Sequence, residues 1–379
     1  MKITVVMGFF LPMPPVAGGA TEKSWHRLAL EFVREGHEVT IVSRRWRGWP
    51  DRETRDGVKY LRLRGANHTS RLARNLWLDF WWSVRVWFSL PPSDVTVINS
   101  VALPVALGWM RGRAGRLVVM TGRMPKGQYR FYRRLDRVLA VSSPVRAAIL
   151  AENPACAPVS RVCGYPIDWT TLSRPRPPPA PGAPVTIGFV GRIHREKGLD
   201  LFAAALGELA RKSGLPRWRV VLCGPQEVAQ GGSGEAYGRD LGRALAAVLP
   251  ADAFELRPPV FAADKLAELY RSIDVFCYPS LADRGETFGV AVAEAMAAGA
   301  VPVVSRLACF SDFVRAGENG ESFDHKAADA PRQLANALAS LLGDSVRRAQ
   351  LAAAAQASVR PYDFPVFAAR LLEDFSTLK

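Results

Sequence analysis

The sequence is poor in cysteine, and the few cysteines it has are scattered. Its five cysteines form no C-x-x-C pair and have no histidine-rich neighbourhood. This excludes the usual patterns of a structural zinc site or a disulfide framework. The cysteine usage therefore favours a reducing, cytoplasmic location and gives no candidate metal ligands.

Long apolar runs are also missing. No stretch of 18 apolar residues free of charge occurs, so the sequence predicts no transmembrane helix. The chain begins with a lysine and an apolar run, but prolines at positions 12, 14 and 15 fall where the cleavage region of a signal peptide would lie. We interpret Ile3 to Phe10 as a buried first strand.

Two cofactor motifs are absent as well. The sequence contains no D-x-D motif, and we infer from this that its chemistry does not depend on a metal ion. The fingerprint G-x-G-x-x-G is missing after the first strand, and the glycine spacing around Gly191 is also wrong for it. An NAD or FAD enzyme is therefore disfavoured, and no cofactor is predicted.

What the sequence does have is length and an uneven positive charge. Its 379 residues suit two domains of about 150 to 200 residues each. The formal net charge is +15, and residues 1–170 hold 26 Lys and Arg against 12 Asp and Glu. A basic first half attracts polyanions, which include nucleic acid, anionic lipid and phosphorylated substrates.

Short β-branched runs alternate with helical stretches along the whole chain, which is typical of parallel sheets covered by helices. Six prolines in the twelve residues 173–184 exclude a helix or an inner strand there and indicate a linker. We predict two doubly wound, Rossmann-like α/β domains facing across a cleft, with ligands outside the carboxyl ends of the strands. The predicted parts are an N-terminal domain 1–170, a linker 171–184, a second domain 185–361 and a C-terminal helix 362–379.

The strongest chemical signal lies in residues 274–305, where a strand, a loop with Glu286 and a helix starting near Phe288 follow one another. A helix start presents unpaired N–H groups and a partial positive charge to a phosphate or a sugar hydroxyl. The candidate amides belong to Thr287, Phe288 and Gly289. Eight residues of helical rise would separate Glu286 and Glu294 by about 12 Å, too far for the carboxylate pair of a retaining glycosidase. The distance fits better if the two carboxylates contact different parts of one elongated ligand. The alternative is a surface-loop Glu286 and a solvated Glu294.

A second signal follows the strand at residues 185–190. A turn at Gly191 is flanked by Arg192, and Lys197 precedes the next helix. Two fixed cations at this position can neutralise the charge that develops on a departing diphosphate. A solvated basic turn is the alternative. We take His194 as a loop residue rather than a general base.

The third signal is Gly18-Gly19, which lies between the first strand and the first helix. Glycines there allow the backbone to approach the phosphates or the sugar of a ligand closely. Taken alone, the pair also fits an ordinary loop.

These elements, in this order, resemble glycosyltransferase family 4, whose members have the GT-B fold. The likeness covers nearly the whole chain. It is most specific at G-R-x-x-x-x-K-G from Gly191 to Gly198, at Pro279-Ser280, and at the E-x7-E formed by Glu286 and Glu294. The family transfers sugars with retention of anomeric configuration, so the resemblance implies a retaining glycosyltransferase of the hexosyltransferase type.

The resemblance also implies roles for these residues in holding a nucleotide diphosphate-sugar, linked to UDP or GDP. Arg192 and Lys197 would hold the diphosphate, Glu286 the sugar and Glu294 the ribose. Gly18 and Gly19 would close the donor site from the first domain. The resemblance makes 1–170 the acceptor-side domain, to which the C-terminal helix 362–379 crosses back, and 185–361 the donor-binding domain. Arg192, Lys197 and Glu286 are thereby the predicted catalytic residues.

The chain departs from the family at two places. Many members have a histidine at the end of the strand that corresponds to residues 116–121, whereas this chain has Thr121-Gly122-Arg123. The family's Gly-Gly-x-P-E after the last strand is replaced by residues 308–312. The family's donor-sugar contacts in that loop therefore do not carry over to this chain. A front-face mechanism, in which the leaving phosphate takes the acceptor proton, needs no protein nucleophile.

Two segments of the first half combine basic and aromatic side chains, a pattern that suits an anionic membrane interface. Residues 71–90 hold four tryptophans, and residues 123–137 hold six basic residues with Tyr129, Phe131 and Tyr132. For the first segment a core helix is the alternative; for the second, a solvated face. The predicted acceptor-side or membrane-side cations are Arg123, Lys126, Arg130, Arg133 and Arg134.

From these patterns we predict a peripheral protein at the cytoplasmic face of the membrane that glycosylates a lipid-linked or saccharide acceptor in cell-envelope polysaccharide, lipopolysaccharide or glycolipid assembly. A transferase acting on a soluble natural product is one alternative. An epimerase of the same fold is another. A nucleic-acid-binding protein is disfavoured, because no recognition helix, zinc finger or RNP motif is present.

Overall fold

The computed structural model describes residues 1–16, 19–176, 180 and 182–378. Contacts divide the chain into two compact units: unit 1 comprises Met1–Pro166 and Phe364–Lys379, and unit 2 comprises Ile167–Asp363. The proline-rich segment 173–184 therefore falls within the range of unit 2. Its residues 177–179 and 181 lie outside the described residues.

The strands of the two units alternate with helices along the chain. They are β1 Lys2–Val6, β2 Glu38–Arg44, β3 Arg52–Arg55, β4 Val58–Leu63, β5 Val95–Ile98, β6 Arg116–Thr121, β7 Arg137–Ala140, β8 Ser160–Val162, β9 Val185–Val190, β10 Trp218–Cys223, β11 Phe254–Arg257, β12 Val275–Tyr278, β13 Val301–Ser305 and β14 Glu321–Phe323.

The α-helices cover these strands. They are α1 Ala20–Arg34, α2 Leu72–Ser89, α3 Leu103–Trp109, α4 Ser143–Glu152, α5 Trp169–Leu172, α6 Leu199–Ala210, α7 Glu235–Ala246, α8 Ala263–Arg271, α9 Val290–Ala297, α10 Ala330–Gly343, α11 Ser345–Ser358 and α12 Phe364–Ser376. Short 3-10 turns lie at Gln128–Phe131, Pro154–Val159, Arg195–Lys197, Val228–Gln230, Phe310–Asp312 and Arg360–Tyr362.

The sheet of unit 1 has eight strands in the order β3-β4-β2-β1-β5-β6-β7-β8. All neighbours are parallel except β3 and β4, which pair antiparallel at the edge. Its central strands are apolar and buried because helices cover both faces. The order reverses between β1 and β5, the arrangement of a doubly wound sheet.

Helices α1 and α12 pack together in unit 1. The apolar residues of α1 recur at helical spacing, so Trp25, Leu28 and Phe32 all lie in the core. Phe375 of α12 meets Phe32 edge to face, with ring centroids 6.3 Å apart. Asp374 accepts a 2.8 Å hydrogen bond from Arg137. The last helix therefore belongs to the unit that the first half of the chain builds.

The sheet of unit 2 has six parallel strands in the order β11-β10-β9-β12-β13-β14. Here the order reverses between β9 and β12, which pair through Val275 with Ile187 and Phe276 with Gly188. The predicted fold class, two doubly wound α/β sheets, is what the structure shows.

Candidate functional site

The candidate donor site lies in unit 2, where β9 and β12 end side by side. At such a reversal of strand order, the loops after the two strands leave in opposite directions and open a crevice at the carboxyl edge of the sheet. The loop after β9 carries Gly191, Arg192 and Lys197, and the loop after β12 carries Glu286. The fold thus brings together two groups of predicted residues that are far apart in sequence.

Backbone contacts fasten these two loops to each other. The amide of Leu281 donates to the carbonyl of Glu196 at 2.7 Å. Gly198 has a φ of +68°, and a Cβ built on it would lie 2.0 Å from the carbonyl oxygen of Pro279. Only glycine tolerates both the left-handed backbone and this close approach. Gly198 therefore sets how near Lys197 comes to the second loop.

Lys197 and Glu286 form a buried ion pair. Their Nζ and Oε2 atoms are 2.7 Å apart, and the side chains are only 7% and 11% exposed. The ammonium also lies 5.3 Å from the ring centroid of Tyr278. Burial, and after it the negative charge of Glu286, raise the pKa of Tyr278 well above its ordinary value. The pair is a fixed dipole in a poorly hydrated place, where electrostatic interactions are strong.

Arg192 is more exposed than Lys197, and its partners lie in the loop after β10 and in its own loop. Its guanidinium donates to the carbonyl oxygen of Gly231 at 2.9 Å and to Glu196 Oε1 at 2.5 Å. Gly191 itself lies against Gly224, where an added Cβ would come within 1.7 Å of the Gly191 carbonyl oxygen. The glycine-rich loop after β10 thus holds the Arg192 side chain at the carboxyl edge of the sheet.

The helix after Glu286 starts later than the sequence suggested. It begins at Val290, and Gly289 caps it with a left-handed φ of +93°. The side chain of Phe288 is buried and packs 4.9 Å from the ring of Phe313. Since residues 286–289 are not helical, helical rise does not give the separation of Glu286 and Glu294.

Glu294 lies within this helix and is partly buried. Its Oε2 accepts a 2.9 Å hydrogen bond from the hydroxyl of Tyr270. Burial, followed by the charge of Glu294, raises the pKa of Tyr270 well above its ordinary value. The buried phenol of Tyr270 thus holds the Glu294 carboxylate in one orientation. Glu294 is therefore not the freely solvated helix residue of the alternative interpretation.

Of the two glycines predicted for the donor site in unit 1, the structure describes one. Gly18 lies outside the described residues. Gly19 caps α1 with a φ of +88°, and a Cβ built on it would lie 2.0 Å from Glu22 Oε2. At the position of the family histidine, the hydroxyl of Thr121 is hydrogen-bonded to that of Tyr129. Thr121 is therefore tied into the core.

The five predicted acceptor-side cations Arg123, Lys126, Arg130, Arg133 and Arg134 are all exposed. Of the aromatics between them, Phe131 is exposed, whereas Tyr129 and Tyr132 are buried. Asn153, the residue after α4, donates to the carbonyl oxygens of both tyrosines, at 2.9 and 3.0 Å. The two tyrosines anchor the segment and leave its charges at the surface.

Helix α2 is not an ordinary core helix. Only one stripe of it is buried, formed by Asp79, Trp82, Ser83 and Val86. Its outward apolar residues are Leu72, Leu76, Trp77, Phe80, Trp81 and Phe88. No helix in the described ranges is long and apolar enough to cross a membrane. An exposed aromatic surface of this size is typical of an interaction site.

Sequence reasoning named Ser280 as part of a motif without giving it a role, and it missed Asp283 and its partners. Ser280 is fully buried with its Oγ 3.4 Å from Glu286 Oε2. Asp283, in the same loop, pairs with Lys326 Nζ at 2.6 Å and lies 3.6 Å from His325 Nε2. Nothing near Asp283 in the sequence points to the loop after β14, so these pairings had no local signal.

Comparison with known proteins shows the enzyme class of the chain. Residues 184–344 match the family model of the group 1 glycosyl transferases, and this range contains both loops and the Lys197–Glu286 pair. Residues 184–344 therefore form a domain of the group 1 glycosyl transferases, and the chain is a glycosyltransferase. The enzyme class and the resemblance to glycosyltransferase family 4 are thereby confirmed.

Curated relatives of this glycosyltransferase act on inositol compounds, as their names state. It is 28% identical to the D-inositol 3-phosphate glycosyltransferase of Kineococcus radiotolerans, over 91% of this chain and 87% of that protein. It is 39% identical to the phosphatidyl-myo-inositol mannosyltransferase of Mycobacterium leprae, over 30% of this chain and 29% of that protein.

Solved structures show the same fold. Sucrose-phosphate synthase from Thermosynechococcus elongatus has a TM-score of 0.75 at 19% identity, covering 100% of this chain and 98% of that one. Anabaena HepE in complex with UDP and glucose has a TM-score of 0.71 at 17% identity, with 100% of both chains covered. These likenesses confirm the GT-B fold of the glycosyltransferase.

Proposed function

We propose that this glycosyltransferase moves a hexose from a UDP- or GDP-linked donor to a lipid-linked or saccharide acceptor of the cell envelope, with retention and without a metal ion. The buried Lys197–Glu286 pair at the strand reversal of unit 2 carries the proposal. It places a cation for a phosphate beside a carboxylate for sugar hydroxyls in one crevice.

The proposed roles follow the positions of the side chains. Arg192 and Lys197 bind the diphosphate, Glu286 the sugar, and Glu294, oriented by Tyr270, the ribose. The donor's polar groups are bound by backbone amides at the start of α9. These include the amides of the three residues that precede the helix, Thr287, Phe288 and Gly289. Gly191 lets the backbone approach the donor.

Transfer then proceeds on one face of the sugar. The bond between the anomeric carbon and the departing phosphate oxygen breaks, and the acceptor oxygen forms its bond to that carbon from the same side. The acceptor proton passes to the departing phosphate. Arg192 and Lys197 offset the negative charge that builds on this phosphate, which is where fixed charges lower a barrier most.

Donor binding and turnover test these roles separately. Purified protein is screened for binding of UDP-, GDP- and ADP-sugars by calorimetry, and binding of none would count heavily against the proposal. Lys197→Ala and Glu294→Ala should each weaken donor binding, whereas Glu286→Ala should mainly lower kcat. Unchanged kinetics in all three variants would refute the assigned roles.

The acceptor is proposed to lie in a membrane, with the enzyme peripheral at its cytoplasmic face. The exposed aromatic residues of α2 and the exposed cations Arg123, Lys126, Arg130, Arg133 and Arg134 support this proposal. One relative is named for an inositol phosphate and another for phosphatidylinositol, so a phosphorylated head group is a fitting acceptor class for a basic unit.

Flotation with liposomes tests the proposed membrane association. The protein should float with vesicles of phosphatidylcholine and phosphatidylglycerol and remain behind with phosphatidylcholine alone. Equal recovery with both kinds of vesicle would contradict the proposal that positive charge attracts the protein to an anionic membrane. Efficient transfer to a water-soluble acceptor without any membrane would favour a soluble natural-product acceptor instead.

A further inference from the structure

A small groove lies in unit 1 at the amino edge of its sheet, where α2 ends and the turn before β6 begins. Its volume is about 220 Å³, and it is lined by Trp87, Phe88, Leu90, Arg111, Gly112 and Arg113. The turn is fixed to the start of β5, because the amide of Ser93 donates to the Arg113 carbonyl oxygen at 2.9 Å. Gly19 and Arg123 lie at the opposite, carboxyl edge of this sheet.

The charge of the groove favours an anion. Arg111 donates to Asp136 Oδ2 at 2.7 Å and also to the carbonyl oxygen of Arg134, so its guanidinium is held in place. Arg116 shares the same carboxylate at 3.4 Å. Arg113 is exposed and has no ion pair within the described part of the chain. One carboxylate among three arginines leaves net positive charge at the groove.

The aromatic wall of the groove continues the outward surface of α2. Trp87 Nε1 donates to the carbonyl oxygen of Met110 at 3.2 Å, and its ring meets that of Phe88 edge to face at 4.8 Å. Phe88 is 76% exposed and lies seven residues beyond Trp81 and eleven beyond Trp77, on the same side of the helix. Apolar surface and anion-binding groove therefore adjoin.

The size of the groove limits the ligand. Drug-sized ligands and nucleotide-sugars need about 300–1,000 Å³. A volume of about 220 Å³ lies below that range and suits a phosphodiester with a small polar head group.

We propose that this groove binds the phosphodiester head group of an anionic phospholipid, with the acyl chains against Trp77, Trp81 and Phe88. The inference rests on the proposed membrane association and assigns it a specific anchoring site. Because the groove lies at the amino edge, this lipid is an anchor and not the sugar acceptor.

Vesicle binding by the full-length protein tests the anchor. Binding to phosphatidylcholine vesicles with and without phosphatidylglycerol is measured by sedimentation for the wild type, Arg113→Gln and the control Arg74→Gln. Arg74 is an exposed arginine of α2, about 20 Å along the helix from Trp87. Removing one surface charge weakens binding about fivefold. Loss of a direct charge-assisted hydrogen bond as well should bring Arg113→Gln to about thirtyfold.

The outcomes separate the anchor from the proposed function. Equal losses in Arg113→Gln and Arg74→Gln would overturn the groove site while membrane association stands. Failure of the wild type to bind the anionic vesicles would overturn both. Water-soluble dibutanoylphosphatidylglycerol should also bind the wild type saturably and bind Arg113→Gln much more weakly; equal binding to both would contradict the site. Donor binding should be the same in all three proteins.

Discussion

Lys197 and Glu286 link stability and function at the scale of single residues. Each side chain is almost fully buried, so each charge depends on the other for compensation. Removing one member of a buried pair leaves an unpaired charge and costs about 3–5 kcal/mol, whereas replacing both with uncharged groups is often neutral. Alanine at either position therefore changes folding as well as chemistry.

A double substitution separates the two effects. Lys197→Ala and Glu286→Ala should each destabilise the protein by about 3–5 kcal/mol, whereas the double variant Lys197→Met/Glu286→Gln should melt close to the wild type. Turnover should remain lost in the double variant, because the phosphate and sugar ligands are gone. Thermal unfolding and kcat measured on the same samples check this. A double variant as unstable as the two single variants combined would show that the pair is not the cause.

Glu22 makes stability depend on pH. Burial raises the pKa of this carboxyl from its ordinary value of 4.5, and a backbone hydrogen bond and Arg123 lower it less. The folded state therefore holds a proton that the unfolded state has already released, and the stability contribution of Glu22 declines as pH rises from about 4.5 through its raised pKa. Glu22→Gln should gain stability relative to wild type over that range.

Melting temperatures of wild type and Glu22→Gln between pH 4.5 and 8 test this expectation. The exposed Glu35, at the end of the same helix, supplies the control Glu35→Gln. A Glu22→Gln difference that stays constant with pH, or that shrinks as pH rises, would contradict the raised pKa.

At the scale of elements, the spacing of the loops after β9 and β12 depends on Gly198. Gly198→Ala should lower the melting temperature and weaken donor binding at least tenfold, because the new methyl group would collide with the Pro279 carbonyl and separate Lys197 from Glu286. Gly214→Ala is the matched control: its φ of +76° is similarly strained, but nothing lies within 4 Å of its added Cβ.

The control substitution isolates backbone strain. Gly214→Ala should cost only about 1–2 kcal/mol of left-handed strain and leave donor affinity unchanged. Donor titrations of both variants decide the matter: if Gly198→Ala binds donor as well as Gly214→Ala does, close packing of the two loops is not needed for the site.

At the scale of the whole molecule, charge is divided between the two units. Nearly all of the +15 net charge comes from the first 170 residues, while the donor site lies in unit 2 on paired charges. Vesicle binding should therefore weaken steeply with salt, since the Debye length falls from about 10 Å at 0.1 M to about 3 Å at 1 M. Donor binding through the buried pair should change much less.

Parallel titrations with sodium chloride from 0.05 to 0.5 M, read by vesicle sedimentation and by donor calorimetry, measure both responses. A vesicle affinity that resists salt would mean that the apolar residues of α2 dominate membrane binding. Equal salt dependence of both affinities would show that donor binding rests on exposed charge.

The sequence by itself determined the fold class and the central strands, and it pointed to the residues that we propose for the donor site. Buried strands such as β1 and β12 consist mostly of apolar residues. Gly191 and Arg192 follow β9 directly, and Lys197 and Glu286 lie farther along in the loops after β9 and β12. The strands it did not reveal lie at or near sheet edges: β3 has no apolar residue, β4 mixes apolar and charged residues, and β8 and β14 have three residues each. Short edge strands bury too little to leave a pattern.

Only the tertiary structure decided which of these residues meet. Lys197 and Glu286 are 89 residues apart, and Asp283 and Lys326 pair across two different loops, so parallel-strand topology rather than local sequence brings them together. Residues 71–90 are apolar on several sides, and composition alone does not tell which side is buried. Packing buried the stripe around Trp82 and left Trp77, Trp81 and Phe88 at the surface, because a single sheet can cover only one face of a helix.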